Sequence, residues 1–248
     1  ETIVTQSDLL SVNTGLPDQN SVTLSADNVN PEAFDISEQE VNLVVRLADT
    51  FNNPVPDGTA VSFTAEGGSI DGSCTTVSGT CAVTWVSANP TVPDHRITIL
   101  ATAIGHETLF DSNGNNIYDD ADGVGFNDEN GIRDNAEIFL DYNNDCQFNA
   151  PDALFNGPQC SGDTCGVDVA GTIHVRRALV LVTSSSAAQI DILDSNDAIV
   201  ASNYQTVSQP AAIARNNAVS YTLTYADTAR QPIANGSTIV VSTSAGQL

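Results

Sequence analysis

The chain contains no methionine and no lysine, a single tryptophan, and only seven basic residues, all arginine, against 31 acids. At a formal net charge of -24 it offers no basic patch that would release counterions from phosphate, which excludes nucleic acid as an expected partner. Without lysine it cannot form the Lys–Asn isopeptide cross-links that stiffen some surface sandwiches. No apolar run approaches the roughly 20 residues of a membrane-spanning helix, and no signal peptide is recognisable. A chain that opens on Glu1 and holds no methionine is expected to be processed or cut from something longer. Patterns for a serine nucleophile elbow, a zinc-protease helix and a phosphate loop are missing, so an enzyme is not expected. Convincing helical periodicity is missing as well.

What is present is period-two alternation rich in Val, Ile and Thr, broken by Gly, Pro, Asn and Asp. Residues 21–26, 41–48, 59–66, 80–87, 96–104 and 172–182 all read as strands. Between two of them, NNPVPDG (52–58) is a turn: Pro54 and Pro56 stiffen the approach and Asp57-Gly58 supplies the bend. The expected fold is an all-β antiparallel sandwich, with Trp85 on an alternating strand as a core residue.

The stretch from Asp111 to Phe155 departs from this pattern. It consists of three contiguous fifteen-residue blocks, DSNGNNIYDDADGVG, FNDENGIRDNAEIFL and DYNNDCQFNAPDALF. Asp111, Asn113, Asn115, Asp119 and Asp122 hold positions 1, 3, 5, 9 and 12 of the first. Asp141, Asn143, Asp145, Asn149 and Asp152 hold the same positions of the third. This is the oxygen spacing of an EF-hand calcium loop, in which position 7 gives a backbone carbonyl, here Ile117 and Gln147. The middle block keeps Asp128, Asn130, Asp134 and Glu137, with Ile132 at position 7, but has Phe126 where the first carboxylate belongs. Calcium is a hard cation that takes six to eight oxygens, which alternating Asp and Asn supply. The plain alternative is a solvated acidic loop of Asx turns. From Gly105 to Asp168 there are 14 of the 31 acids and one base, Arg133. Such a segment repels itself unless counterions gather. No flanking helix pair is legible, so bare calcium loops are expected rather than true EF-hands.

Five cysteines punctuate the chain. Cys74 and Cys81 bracket a short turn between strands, a good geometry for a hairpin disulfide, and Cys160 and Cys165 are similarly close. Cys146, at position 6 of the third block, is either free or a competitor for the second pair; sequence leaves connectivity open. A zinc site from these cysteines and His174 lacks the usual C-x-x-C spacing. Disulfides imply an oxidising compartment. His106-Glu107 reads as a surface pair or as a ligand donor to the first block. Arg176-Arg177 reads as flanking the last strand and pairing with neighbouring acids, an exposed contact of small energy.

A longer repeat emerges at an offset of 178. Residues 41–70 align without gaps on 219–248, with Val41/Val219, Ala48/Ala226, Asp49/Asp227, Thr50/Thr228, Pro54/Pro232, Gly58/Gly236 and Gly68/Gly246 identical. Residues 2–14 are similar to 172–184 at an offset of 170. The chain is expected to hold the last strand of one module (1–16), a whole module with an acidic insert at 105–166 (17–185), and the first strands of a third (186–248). An incomplete sandwich leaves unpaired edges, so either the sequence is a window on a longer array or copies complete one another by strand addition.

The run ADTFNNPVPDGTAVSFTAEGGSIDGSCTTVSGTCAVTWVS, followed by ITILATAIGHE, resembles the bacterial immunoglobulin-like domains of the intimin and invasin group. The resemblance covers about residues 21–104, 167–183 and 188–248, and P-x-G-T-x-V-x-F (56–63) lies within it. It implies immunoglobulin-like modules in tandem, an extracellular or bacterial cell-surface location, and a stalk, filament or sheath role, with no catalytic residues. The acidic insert is not part of the basic module, and nothing resembles the lectin-like tip of intimins. The expected partners are neighbouring modules of the same or an adjacent copy, with a filament or receptor as further candidates. The alternative is an adhesin whose calcium-ordered insert presents Tyr118, Phe126, Tyr142 and Phe148 for recognition. An accessory domain of a carbohydrate-active enzyme is a third reading, and it requires a catalytic neighbour.

Overall fold

The computed structural model describes residues 15–108, 113–115, 117, 119, 160–161, 163, 165, 172–207 and 218–242, together with the backbone of 133–134 and 138–139. The strands are β1 (Val22–Ala26), β2 (Glu40–Leu47), β3 (Ala60–Ala65), β4 (Ser69–Ile70), β5 (Ser73–Thr75), β6 (Thr80–Val86), β7 (Arg96–Gly105), β8 (Arg133–Asp134), β9 (Ile138–Phe139), β10 (Ile173–Val182), β11 (Ala188–Leu193), β12 (Ile199–Ser202) and β13 (Thr222–Asp227). Among the described residues the only helical element is a 3-10 turn, Gln19–Ser21, capped by the Asp18 side chain.

The alternation read from the sequence dictates which faces meet. Val41, Leu43, Val45 and Leu47 point inward from β2, while Glu40, Asn42 and Arg46 stay at the surface. Cys81, Val83 and Trp85 do the same on β6, and Ile97, Ile99, Ala101 and Ala103 on β7. Two antiparallel four-stranded sheets, ordered β1-β2-β6-β4 and β10-β7-β3-β5, enclose this core. Each fully buried Val, Leu or Ile contributes about 1.5–3 kcal/mol relative to exposure. Trp85 is fully buried, and its indole N–H donates to the Gly67 carbonyl at 2.8 Å. Gly68 lies directly beneath that ring at φ +76°, and a Cβ there would stand 2.6 Å from it.

Cys74 and Cys81 are bonded. The bond does more than close a hairpin, because β5 pairs with β3 in one sheet and β6 with β2 in the other. It therefore staples the two sheets at one corner. Cys160 and Cys165 are bonded as well, and Cys146 lies outside the described residues.

β7 and β10 pair along their whole length, from Ile173 opposite Gly105 to Val182 opposite Arg96. The segment between them is thus an enlarged connection between hydrogen-bonded neighbours. β10 is an edge strand, and the Gln19 amide bonds it as a strand would: Nε2 donates to the Arg176 carbonyl and Oε1 accepts from the Arg176 N–H. Beyond β10 a further, three-stranded sheet, β12-β11-β13, is wholly antiparallel.

Candidate metal centre

In the first acidic block the described residues curl around one point. The Asn115 N–H donates to Asn113 Oδ1 at 2.9 Å, and the Ile117 N–H donates to Asn115 Oδ1 at 2.8 Å. These are successive Asx turns, with Gly114 at φ +76° between them. Asn115 Nδ2 donates to Asp119 Oδ2 at 2.8 Å, and Asn113 Nδ2 approaches the same carboxylate at 3.3 Å. Loop positions 3, 5 and 9 thus converge. The groups turned toward Asp119 are the amide nitrogens, while each amide oxygen accepts a backbone N–H and keeps a second lone pair.

Asp111, Asp122, Asp128, Asn130, Ile132, Glu137, Asp141, Asn143, Asp145, Gln147, Asn149 and Asp152 lie outside the described residues. Asp134 is described by backbone alone, in a two-residue pairing of β8 with β9. Among the described residues no group of three or more His, Cys, Asp or Glu is placed to hold a metal. What is described of the first block contributes two amides and one carboxylate.

The roots of the insert are firmly tied. The His106 N–H donates to the Pro17 carbonyl at 3.0 Å and the Gln19 N–H to the His106 carbonyl at 3.1 Å, a parallel bridge that continues β7 past Gly105. Thr108 Oγ1 donates to Asp18 Oδ1 at 2.8 Å. His106 Nδ1 donates to the Glu107 carbonyl at 2.7 Å, and Nε2 lies 3.4 Å from Thr50 Oγ1, which itself donates to Asp18 Oδ2 at 3.5 Å. His106 and Glu107 are therefore not a surface pair; both are buried, as are Asp18 and Asp49 beside them. The sequence carried no sign that Pro17–Asn20 folds over them. Arg176 is half-buried in mid-strand, and only Arg177 is exposed.

At the opposite end of β7 stands His95. Ten residues of strand separate the two poles by roughly 30 Å. His95 is buried at φ +62°, and its ring stacks on Phe34 at 3.6 Å. Its Nδ1–H donates to Asp227 Oδ2 at 2.5 Å, across a sequence separation of 132.

Asp227 heads a turn that duplicates the one at Asp49. Asp49 Oδ1 accepts from the N–H groups of Phe51 and Asn53, and Asp227 Oδ1 from those of Ala229 and Gln231. The backbone bonds Asn52 N–H to Asp49 O and Arg230 N–H to Asp227 O also correspond. Asn52 and Arg230 share the left-handed region at φ 61° and 63°, and Gly58 and Gly236 at 87° and 85°. The apolar positions fare differently. Val41, Leu47, Val61 and Phe63 are buried, whereas their equivalents Val219, Tyr225, Ile239 and Val241 are exposed.

No family model, no curated protein and no solved structure matches the chain. Among the described residues no helix is long and apolar enough to cross a membrane.

Proposed function

We propose that this chain is a structural segment of a long bacterial surface or secreted protein, built of immunoglobulin-like repeats in tandem and stiffened by calcium. The observation that carries the reading is the recurrence of the Asp49 turn at Asp227, bond for bond, in a unit joined to the end of the first sandwich. A stalk or sheath needs like units placed end to end. The bacterial immunoglobulin-like group of intimins and invasins remains the family it resembles. The two disulfides are compatible with an oxidising, extracellular setting.

Calcium enters through the insert. Convergence of Asn113, Asn115 and Asp119 supports the loop spacing, and the concentration of acid supplies the need for counter-charge. Extracellular calcium modules bind with dissociation constants of about 10⁻⁴ to 10⁻³ M, so the sites fill outside the cell and stand empty in cytosol. The insert is rooted at the Asp49 pole, so calcium acts there and not at the junction with 188–242. The test is limited proteolysis with calcium and with chelator. Calcium is expected to protect 109–171 while the sandwich resists cleavage in both conditions; identical cleavage of that stretch in both would refute the calcium reading.

A further inference from the structure

We propose that the His95 pole of the sandwich is a socket for the aspartate-headed turn of an adjoining repeat, and that this contact, rather than calcium, fixes the angle between the two units. The inference rests on the tandem-repeat reading and adds to it the chemistry of the joint.

The socket is preorganised on its own unit. The His95 N–H donates to the Val92 carbonyl at 3.0 Å, and the His95 carbonyl accepts from the Thr183 N–H at 2.8 Å. With Phe34 against its face, the ring presents one N–H in one direction. The plug is equally well defined. Oδ1 of Asp227 is spent on its own turn, and Oδ2 faces out to receive His95 Nδ1–H and, at 3.3 Å, the Ser185 N–H. A carboxylate satisfies all four donors at once, as an amide cannot.

Around this centre both units and the linker bond across the joint. Ser184 Oγ donates to the Pro232 carbonyl at 2.7 Å, the Asn235 N–H to the Asn30 carbonyl at 2.9 Å, and the Thr228 N–H to Ser185 Oγ at 3.1 Å. A joint with a buried centre, His95, Asp227 and Ser185, and directional bonds around it has one good geometry, whereas an apolar one tolerates sliding.

The partner this socket fits is therefore a turn of the pattern A-D-T-x-x-x-P-x-x-x-G, present at 48–58 and 226–236. The sandwich carries the socket at one pole and a copy of the turn, headed by Asp49, at the other. Asp49 is itself buried, with Asn53 Nδ2 against both of its carboxylate oxygens, so the joint rests on the Asp227 turn alone.

The experiment is hydrogen exchange read by mass spectrometry on the whole chain, in calcium and in chelator, for the wild type, Asp227→Asn, His95→Asn and Asp49→Asn. Asn at 227 keeps the Oδ1 acceptor of the turn and turns an NH₂ toward His95 Nδ1–H and Ser185 N–H. Asn at 95 tolerates the left-handed backbone. Asp227→Asn and His95→Asn are expected to speed exchange at 183–186 more than about tenfold, the first by leaving buried donors unmatched and the second by leaving a buried carboxylate oxygen short of one. β2, β6 and β7 should stay protected, and chelator should change nothing at the joint. Asp49→Asn should leave 183–186 untouched. Unchanged exchange at 183–186, faster exchange confined to 227–231, or protection of the joint that depends on calcium would each overturn the proposal. Failure of the calcium reading shows separately in the same data, as indifference of 109–171 to chelator.

Discussion

Replacing Gly68 by alanine tests the packing of the first sandwich against its one tryptophan. Two costs add there. The backbone sits at φ +76°, where an L side chain costs about 1–2 kcal/mol. The new methyl would stand 2.6–2.7 Å from three atoms of the Trp85 ring, which is fully buried and tethered to the Gly67 carbonyl. Overpacking of that kind typically costs about 1–3 kcal/mol, so the total is about 2–5 kcal/mol. Gly58→Ala is the control, since φ is +87° but nothing lies within 4 Å; it should cost only the backbone share. The assay is urea unfolding followed by tryptophan fluorescence, because Trp85 is the chain's one tryptophan and reports this unit alone. If Gly68→Ala and Gly58→Ala lowered the midpoint equally, the clash with Trp85 would carry no energy and the packing argument would fail.

Other outcomes follow from the same structure. Reducing Cys74–Cys81, a bond between residues seven apart, should lower the stability of the sandwich by about 2 kcal/mol, read as a shift in the urea midpoint with reductant; an unchanged midpoint would show that the staple is redundant. Tyr204 donates to the Asp191 carboxylate, and this hydrogen bond, the leading cause, raises the phenol above its ordinary range and lowers Asp191 below its own. The tie is therefore fully present below the ordinary phenol value and lost as pH rises through the folded one; on the acid side it is lost as pH falls through the lowered Asp191 value. Asp191→Asn should return the Tyr204 ring titration, followed by NMR, toward about 10. The joint variants Asp227→Asn and His95→Asn should loosen 183–186 without melting the sandwich.

Much of the fold was legible because its long strands are half-buried. On β2, β6 and β7 every second residue must be apolar, and the period appears in the sequence. β4 and β5, of two and three residues, are too short to carry a period and went unread. The Cys74–Cys81 pairing followed from spacing, but its joining of two sheets did not, because that depends on where the chain changes layer. His95–Asp227 was invisible as a contact, since neither residue belongs to a motif that names its partner. A signal did exist: Asp49 and Asp227 are identical across the repeat, just past the end of β2 and at the end of β13. An acid kept at that position twice marks a backbone duty, here the capping of the same turn. The acidic blocks stand apart, for their spacing speaks of ligand chemistry and says little of how the loops sit on the sandwich.

The most direct test of the account is calorimetric titration of the whole chain with calcium at constant ionic strength, with magnesium as the control. Saturable binding with a dissociation constant of about 10⁻⁴ to 10⁻³ M, weakened by Asp119→Ala, is the predicted result. A calcium trace indistinguishable from magnesium, with Asp119→Ala indistinguishable from the wild type, would contradict it.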